Sequence, residues 1–366
     1  MTKQQETIPK SIHSLKVGSL SIEHDPKMYA YDFYGIFSLE TNIPYFDGMF
    51  HAFRSKDPRG KFRIRFLLDE KLRISTAGKE KVNIMLHYNP SDNSIEFDYP
   101  WFRPICAKLI FQNELQTYTF LFNKNYLRLS NIVAEGWELI DVLRSILVVS
   151  LLRNGLYMVH AAAVKIGDRG VLIPAFGNTG KTTTAWMLAS RGAEFLTDEF
   201  AILDSDGNCF GFPCSSLLSP SSLKALGIRL RRRQNLSLAL SQFKSRVFSS
   251  RFVPGGIKLH PDSFFRISPK VPVSFVAILQ NGTDQLDRID KSQVIARIRA
   301  IQDYEFGWRA NPYILAQRFF NPGFDMDWLL SEEETFLQRL VARLEDLYLV
   351  SSSSGSHFLQ IEKLVT

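Results

Sequence analysis

The feature that most constrains this chain is a glycine-containing segment near its midpoint, residues 173–186, which reads IPAFGNTGKTTTAW. An apolar run precedes it and a helix-forming run follows it. The segment departs from the pattern Gly-x4-Gly-Lys-Ser/Thr only at the first position, where Ala175 stands. Gly180 lets the backbone turn so that successive N–H groups face an anion, and the following helix adds its positive N-terminal end. The segment therefore predicts a strand, an anion-binding loop and a helix, in that order.

This loop, residues 175–182, is predicted to hold the phosphates of a nucleotide. Lys181 is placed to reach the β- and γ-phosphates, and the Thr182 hydroxyl to bind Mg²⁺. The alternative is a tight turn with a chance lysine. Ala175 fits freely if its backbone is extended, but is strained if its φ is positive. The residues expected to contact the nucleotide are Gly177, Asn178, Thr179, Gly180, Lys181, Thr182 and Thr183.

An acidic pair follows the loop closely. Asp198 lies only 17 residues after Lys181, at the end of the predicted strand AEFL, and Glu199 comes next. This spacing leaves room for one helix, residues 182–191, and one return strand, which would place the pair beside the loop's own strand. Asp198 is then the candidate to accept a proton from an attacking hydroxyl. A helix cap or an exposed turn is the alternative reading of the pair.

The first third of the chain alternates apolar and polar residues in short segments such as SLSIEH, KFRIRFLL, SIEFDY and TYTFLF. In KFRIRFLL, Phe62, Ile64 and Phe66 point one way and the two arginines between them point the other, which is the period of a half-buried strand. Turn-forming clusters such as NPSDNS separate the segments. We expect an antiparallel sheet over residues 12–130.

Beyond this region the spacing of the apolar residues changes. Residues 133–155 place apolar side chains at spacings of three and four, which predicts a helix. Residues 158–166 and 171–176 flank GDRG and predict a hairpin whose second strand leads into the loop. Residues 272–282 predict a buried strand. A final helix is expected over residues 331–350.

The end of the chain carries two further signals. Ser331 and Glu334 have the spacing of a capping box at the start of the final helix. SSSSGS, residues 351–356, predicts a flexible joint before a last strand-like piece. With 366 residues, the chain suggests a β-rich domain over 1–132, a loop-bearing domain over 133–350 and a tail over 351–366. The expected fold class is α+β or mixed α/β.

Composition limits the class of protein and the cellular location that we expect. Hydrophobic residues make up 45% and charged residues 22%, as in folded globular proteins. No apolar run reaches the roughly 20 residues of a membrane-spanning helix, and MTKQQETIPK lacks a signal core. We therefore expect a cytoplasmic protein without a membrane partner. Three cysteines without CxxC spacing are expected to be buried free thiols.

The net charge of +7 suits a phosphate-rich ligand or an acidic partner. The densest basic run, RLRRRQ at residues 229–234, has no interleaved aromatic residues. It is predicted to be a solvated loop, which argues against nucleic acid as the partner.

The segment VHAAAVKIGDRGVLIPAFGNTGKTTTAWMLASRGAEFLTDEFAIL resembles the HPr kinase/phosphorylase family, including its relatives beside peptide-biosynthesis genes. The resemblance implies a fold similar to phosphoenolpyruvate carboxykinase. It implies that Gly180, Lys181 and Thr182 hold phosphates and Mg²⁺, that Asp198 is the base, and that Glu199 supports the lysine or the metal.

The same resemblance places His160 close to the transferred phosphate, and Lys258 in a charge-stabilising role. Without the resemblance, His160 would be assigned as a satisfied core histidine. The family's segment that docks the HPr protein is missing from this chain, and the β-rich first third matches no family that we can name. HPr itself is therefore not the expected substrate.

These observations predict an ATP-dependent kinase that phosphorylates a hydroxyl, with a serine of a peptide or small protein as the acceptor. The catalytic residues would be Asp198, Lys181 and His160, the metal ligands Thr182 and Glu199, and the cofactors ATP and Mg²⁺. Two alternatives stay open: a nucleotide-gated binding protein without phosphotransfer, and a small-metabolite kinase. The acceptor's identity, homo-oligomerisation, the role of the N-terminal domain and the reverse phosphorolysis are left open by the sequence.

Overall fold

The computed structural model describes residues 27–75, 77–99, 104–112, 116–130, 139–230, 232–248 and 256–365. Within these residues the fold is mixed α/β, as expected, with two large mixed sheets, one two-stranded ribbon and ten helices. None of these helices is both long and apolar enough to cross a bilayer.

The first sheet contains the strands of the N-terminal region. They are β1 (Tyr29–Phe33), β2 (Phe37–Thr41), β3 (Phe62–Leu68), β4 (Glu80–Lys81), β5 (Leu86–Asn89), β6 (Ser94–Tyr99), β7 (Ile105–Gln112) and β8 (Thr117–Phe122). Their order is β1-β2-β3-β8-β7-β6-β5-β4. β3 is parallel to both β2 and β8, so the expectation of a purely antiparallel sheet is wrong at these two pairings. The other pairings are antiparallel.

The alternation of β3 follows the sequence pattern. Phe62, Ile64 and Phe66 are buried, whereas Arg63 is exposed and Arg65 half-buried. The period-2 pattern therefore identified the strand and its buried face correctly. The segment SLSIEH lies outside the described residues.

The remaining strands build the second sheet and the ribbon. They are β9 (Leu156–Ile166), β10 (Arg169–Pro174), β11 (Glu194–Thr197), β12 (Phe200–Asp204), β13 (Asn208–Phe210), β14 (Ser216–Leu218), β15 (Ile257–Leu259), β16 (Lys270–Asn281), β17 (Gln285–Arg288) and β18 (Asp346–Ser352). The sheet order is β10-β9-β12-β13-β16-β18-β17, with β11 paired to β9 and β10 also paired to β16. β14 and β15 form the ribbon. The predicted hairpin (β9–β10) and the predicted buried strand (β16) are confirmed.

The helices pack around these sheets. They are α1 (Asp47–Phe50), α2 (Lys124–Ser130), α3 (Leu139–Arg153), α4 (Lys181–Ser190), α5 (Pro220–Ala225), α6 (Arg232–Phe248), α7 (Lys291–Glu305), α8 (Pro312–Phe320), α9 (Met326–Ala342) and α10 (His357–Val365). α3 and α4 confirm the two helices expected on either side of the hairpin, although residues 133–138 lie outside the described part. The basic run was expected to be loop throughout, but α6 begins within it at Arg232.

Four expectations for the end of the chain are wrong: the capping box, the extent of the final helix, the flexible joint and the last strand-like piece. α9 begins after the cap Asp325, which accepts the N–H of Trp328, so Ser331 lies inside the helix rather than at its start. The helix ends near Ala342, and the apolar residues after it form β18, which lies parallel to β16. SSSSGS begins inside that strand, and the last segment is the helix α10 rather than a strand.

One apolar core links the two sheets. The ring of Phe212, from the second region, lies 5.1 Å from Phe33 and also packs on Phe50 and Phe53 of the first region. The expected domain boundary at residue 132 falls in the undescribed residues 131–138. Cys106, Cys209 and Cys214 are buried free thiols, as predicted.

Candidate active site

The sheet order brings the glycine loop and the acidic pair to the same place. β10 and β11 both pair antiparallel with β9, so both end at the same end of that strand. Pro174, the last residue of β10, lies opposite Ala161, and Thr197, the last residue of β11, lies opposite Ala163. β9 separates the two strands, so Asp198 is not beside the loop's own strand but one strand away.

The backbone conformation at position 175 does not require a glycine. Ala175 is buried and is absent from the described residues with positive φ. The left-handed positions are instead Asn178, with φ 63°, and Gly180, with φ 98°. An L-residue would be strained at Gly180, whereas alanine at position 175 carries no such cost.

α4 begins directly at the loop. Gly180 is its N-terminal cap, and no side chain caps the helix within the described residues. The first N–H groups of a helix have no intrahelical partner and carry a partial positive charge. The start of α4 therefore offers backbone donors to an anion lying in the loop.

Lys181 is the first residue of α4, and it is buried. Its Nζ lies 2.7 Å from Nε2 of His160 on β9. Burial lowers the pKa of Lys181, although the negative charges of Glu199, Asp198 and Glu305 act in the opposite direction. The ammonium group is thus held in the interior without a direct carboxylate partner in the described structure.

His160 is neutral in this setting. Burial, followed by the positive charges of Lys181 and Arg144, lowers its pKa to about 2. A neutral imidazole accepts a hydrogen bond at one nitrogen, so Nε2 accepts from the lysine ammonium. The His160 backbone N–H donates to Oε1 of Gln302 at 2.6 Å, which fixes the strand at this point. The structure therefore places His160 where it positions Lys181.

Asp198 is buried beside the loop. Hydrogen bonding with the hydroxyls of Ser216 and Thr182 lowers the pKa of its carboxyl group, in opposition to burial. Trp186 of α4 in turn donates from its indole N–H to the Ser216 Oγ at 3.0 Å, which fixes that hydroxyl. Burial is the main reason why the pKa of Asp198 rises to about 6. A carboxylate of this pKa is mostly ionised at neutral pH and is a good proton acceptor.

Glu199 points to a different partner. Its Oε1 accepts from Arg144 of α3 at 2.5 Å, and the Arg144 guanidinium also stacks on the ring of Phe200, 5.2 Å from its centre. Glu199 contributes the largest favourable charge acting on Lys181. No local sequence pattern singles out Arg144, yet it supplies a second cation to this site.

Glu305 is a site residue that the sequence did not reveal. It ends α7, and its Oε1 accepts the backbone N–H of Gly177 in the loop at 2.5 Å. Its Oε2 lies 3.7 Å from the Nε2 of His160. A carboxylate therefore occupies one of the backbone donors expected to hold phosphate. The 128 residues between Gly177 and Glu305 explain why no local pattern could identify the contact.

The C-terminal helix closes the other side of the loop. His357, the first residue of α10, is fully buried, and its Nδ1 lies 3.7 Å from the position that a Cβ on Gly180 would take. Its Nε2 lies 2.9 Å from the Gln280 carbonyl oxygen of β16. The segment predicted to be a free tail is thus part of the wall around the loop.

Lys258 does not join this cluster. It lies exposed on the ribbon, opposite Leu217, and lines a groove with residues of α6. The second cation near the loop is instead Arg144.

The assembled groups favour an anion bound with a divalent cation. Within the described residues, two cations, Lys181 and Arg144, lie among three carboxylates, those of Asp198, Glu199 and Glu305. The Thr182 hydroxyl and the Asp198 carboxylate are hard oxygen donors in contact with each other, which is the donor chemistry that Mg²⁺ prefers.

The chain matches no family model, and no curated protein matches it either.

Proposed function

We propose that this chain is an ATP-dependent kinase that transfers the γ-phosphoryl group to a hydroxyl, with a serine of a peptide or small protein as the acceptor. One observation carries the proposal. A buried lysine at the start of α4 and a buried aspartate with a raised pKa both lie at the glycine loop, and the negative charge of the aspartate acts on the lysine. Shifted pKa values of buried groups mark functional sites more often than structural ones.

The loop and α4 form the phosphate-binding part of the proposed site. Backbone N–H groups from residues 177–183 and the ammonium of Lys181 hold the triphosphate. Neutral His160 accepts from that ammonium and thereby directs it without adding positive charge. Thr182 and Glu199 would hold Mg²⁺, which offsets charge on the phosphoryl oxygens when bound.

The chemical step needs one proton acceptor. The acceptor hydroxyl oxygen forms a bond to the γ-phosphorus, the bond from that phosphorus to the bridging β–γ oxygen breaks, and ADP leaves. The hydroxyl proton passes to the Asp198 carboxylate, which Ser216 and Trp186 hold in place. Lys181 and Arg144 offset the negative charge of the transferred group.

The proposal includes the fold of the second region: a phosphoenolpyruvate-carboxykinase-like kinase domain that resembles the HPr kinase/phosphorylase family. The antiparallel β9–β10 hairpin supports it, because a purely parallel phosphate-loop sheet would require a crossover before the loop. A cytoplasmic location stays a prediction.

A nucleotide-gated binding protein is the second candidate. An open cleft between the two regions favours it, because Tyr34 and Arg54 of the first region line that cleft together with Pro213. Pro213 lies three residues before Ser216, the hydroxyl that holds Asp198. A nucleotide bound at the loop would then control a partner in the cleft without phosphotransfer.

Incubation with γ-labelled ATP, Mg²⁺ and serine-containing peptides tests the proposal. We expect wild type to transfer label, and Asp198→Asn to lower the rate roughly 10²- to 10⁴-fold, the usual contribution of a general base, with little change in ATP affinity. Asp206→Asn, in an exposed turn, is the matched control and should transfer label normally. Tight ATP binding without any transfer or hydrolysis would favour the binding protein, and normal transfer by Asp198→Asn would remove Asp198 from the mechanism.

A further inference from the structure

Two histidines and an aspartate come together away from the glycine loop. His51 lies at the start of the 3-10 helix His51–Phe53 in the first region, and His260 and Asp262 follow β15 in the second. One ligand atom from each lies within 4.8 Å of the other two. The His51 Nε2 is 3.1 Å from the Asp262 Oδ2, and the two imidazole rings are 4.1 Å apart, edge to face.

Ordinary packing does not account for all three groups. The pair of His51 and Asp262 satisfies those two side chains, but the Nδ1 of His260 is buried and has no hydrogen-bond partner in the described structure. A buried polar nitrogen without a partner costs about 1 to 3 kcal/mol. In its neutral form, an imidazole binds a metal ion through the nitrogen that carries no proton.

We propose that His51, His260 and Asp262 bind a divalent transition-metal ion of the zinc type, in a three-ligand site that joins the two regions of the chain. Two imidazoles and one carboxylate are ligands that Zn²⁺ accepts, whereas Mg²⁺ prefers oxygen alone. Ligand atoms about 2.0 to 2.1 Å from a tetrahedral Zn²⁺ lie about 3.3 Å apart. The 3.1 Å separation of the His51 Nε2 and the Asp262 Oδ2 is close to this length, and the ligand atom of His260 lies within 4.8 Å of both.

The position of the cluster has two consequences for a bound metal ion. His51 and His260 are far apart in sequence, so a shared metal links the first region to the segment that follows the ribbon. Asp262 also lines the cleft that contains Arg54 and Asp57. With three protein ligands, a water molecule or another small ligand would complete the tetrahedral coordination.

Titration of the chelator-treated full chain with Zn²⁺, in competition with a chromophoric chelator, tests the proposal. We expect wild type to bind one equivalent at this site, and His51→Ala and His260→Ala to weaken that binding at least roughly tenfold, as loss of one of three ligands does. Asp262→Asn keeps the side chain's shape and should weaken it as well. His87→Ala, on β5 of the first sheet, is the matched control and should bind like wild type.

A second readout separates metal binding from a folding defect. His51 is exposed, so His51→Ala should keep the circular dichroism spectrum of wild type. Zn²⁺ should raise the melting temperature of wild type and of His87→Ala, but leave that of His51→Ala unchanged. The proposal is overturned if wild type binds no Zn²⁺, or if both histidine variants bind and respond to it as wild type does.

Discussion

The pKa shifts of buried charged groups have different causes in the two sheets. In the first sheet, Glu96 is buried between the ammonium groups of Lys79 and Lys108, the latter at 2.8 Å. Burial alone would raise the pKa of Glu96, but hydrogen bonds from the two lysines lower it. At the candidate site of the second sheet, burial prevails instead: the pKa of Lys181 falls and that of Asp198 rises.

On our proposal, this difference separates structural charges from functional ones. A paired charge stabilises the fold only as long as its partner is present, because either group alone would be left unpaired in the interior. Burial of the site residues disfavours their charged forms, which costs stability at neutral pH and leaves those charges available for a ligand. The first sheet should therefore respond to mutation through stability, and the site through binding and rate.

The largest effect on stability is expected from Glu96→Gln, which removes the carboxylate partner of Lys79 and leaves Lys108 with Asp92 as its carboxylate partner among the described residues. We expect the free energy of unfolding to fall by about 3 kcal/mol, with ATP affinity unchanged. Glu40→Gln is the matched control in the same sheet, because its partners Arg63 and Arg65 are more exposed. It should cost about 1 kcal/mol or less. Urea unfolding measures both, and equal losses would mean that burial does not set the cost.

The pH dependence of stability should have opposite signs in the two regions. Asp198 has a native pKa of about 6 against a reference of 3.8, so its contribution is present below about pH 4 and lost as pH rises through 6. Asp198→Asn should therefore gain roughly 2 to 3 kcal/mol on wild type between pH 4 and 7.5. Glu96 has a lowered pKa, so its contribution is lost as pH falls.

Urea unfolding at several pH values measures these differences. The stability of wild type relative to Asp198→Asn should fall as pH rises, whereas its stability relative to Glu96→Gln should increase. The same sign for both variants would contradict the contrast between the sheets.

A smaller effect is expected from Glu305, whose carboxylate accepts the Gly177 N–H inside the loop. A phosphate group bound in the loop would have to share or displace this hydrogen bond, and the negative charge of Glu305 would repel it. Glu305→Gln should tighten ATP binding roughly tenfold, since a hydrogen bond to a charged group contributes about 1.5 kcal/mol. Asp303→Asn, on the exposed part of the same helix, is the control. Weaker binding by Glu305→Gln in isothermal titration would show that the carboxylate acts together with the nucleotide.

The sequence predicted the elements whose signals are local. The alternation in β3, the hairpin of β9 and β10 and the helix α4 each depend on neighbouring residues. The residues of β18 continue the apolar period of α9, so they read as helix, and only pairing with β16 makes them a strand. Tertiary pairing of this kind overrides local propensity.

The residues of the candidate site likewise fall into two groups: those that local sequence spacing identifies and those that it does not. Lys181 and Asp198 lie within one short stretch and were found from their spacing. Arg144, Ser216 and Glu305 reach the site from separate elements, and His357 from the predicted tail. Only the three-dimensional arrangement brings these groups to the loop.

Equilibrium binding of Mg·ATP is the most direct test of the central claim that the glycine loop and Lys181 hold a nucleotide. Isothermal titration should show binding by wild type, a loss of roughly 10- to 100-fold in Lys181→Met, and less than about a twofold change in Lys165→Met. Lys165 is the matched control because it lies on β9 but pairs with Glu194, away from the loop. No binding by wild type, or equal binding by Lys181→Met, would contradict the account.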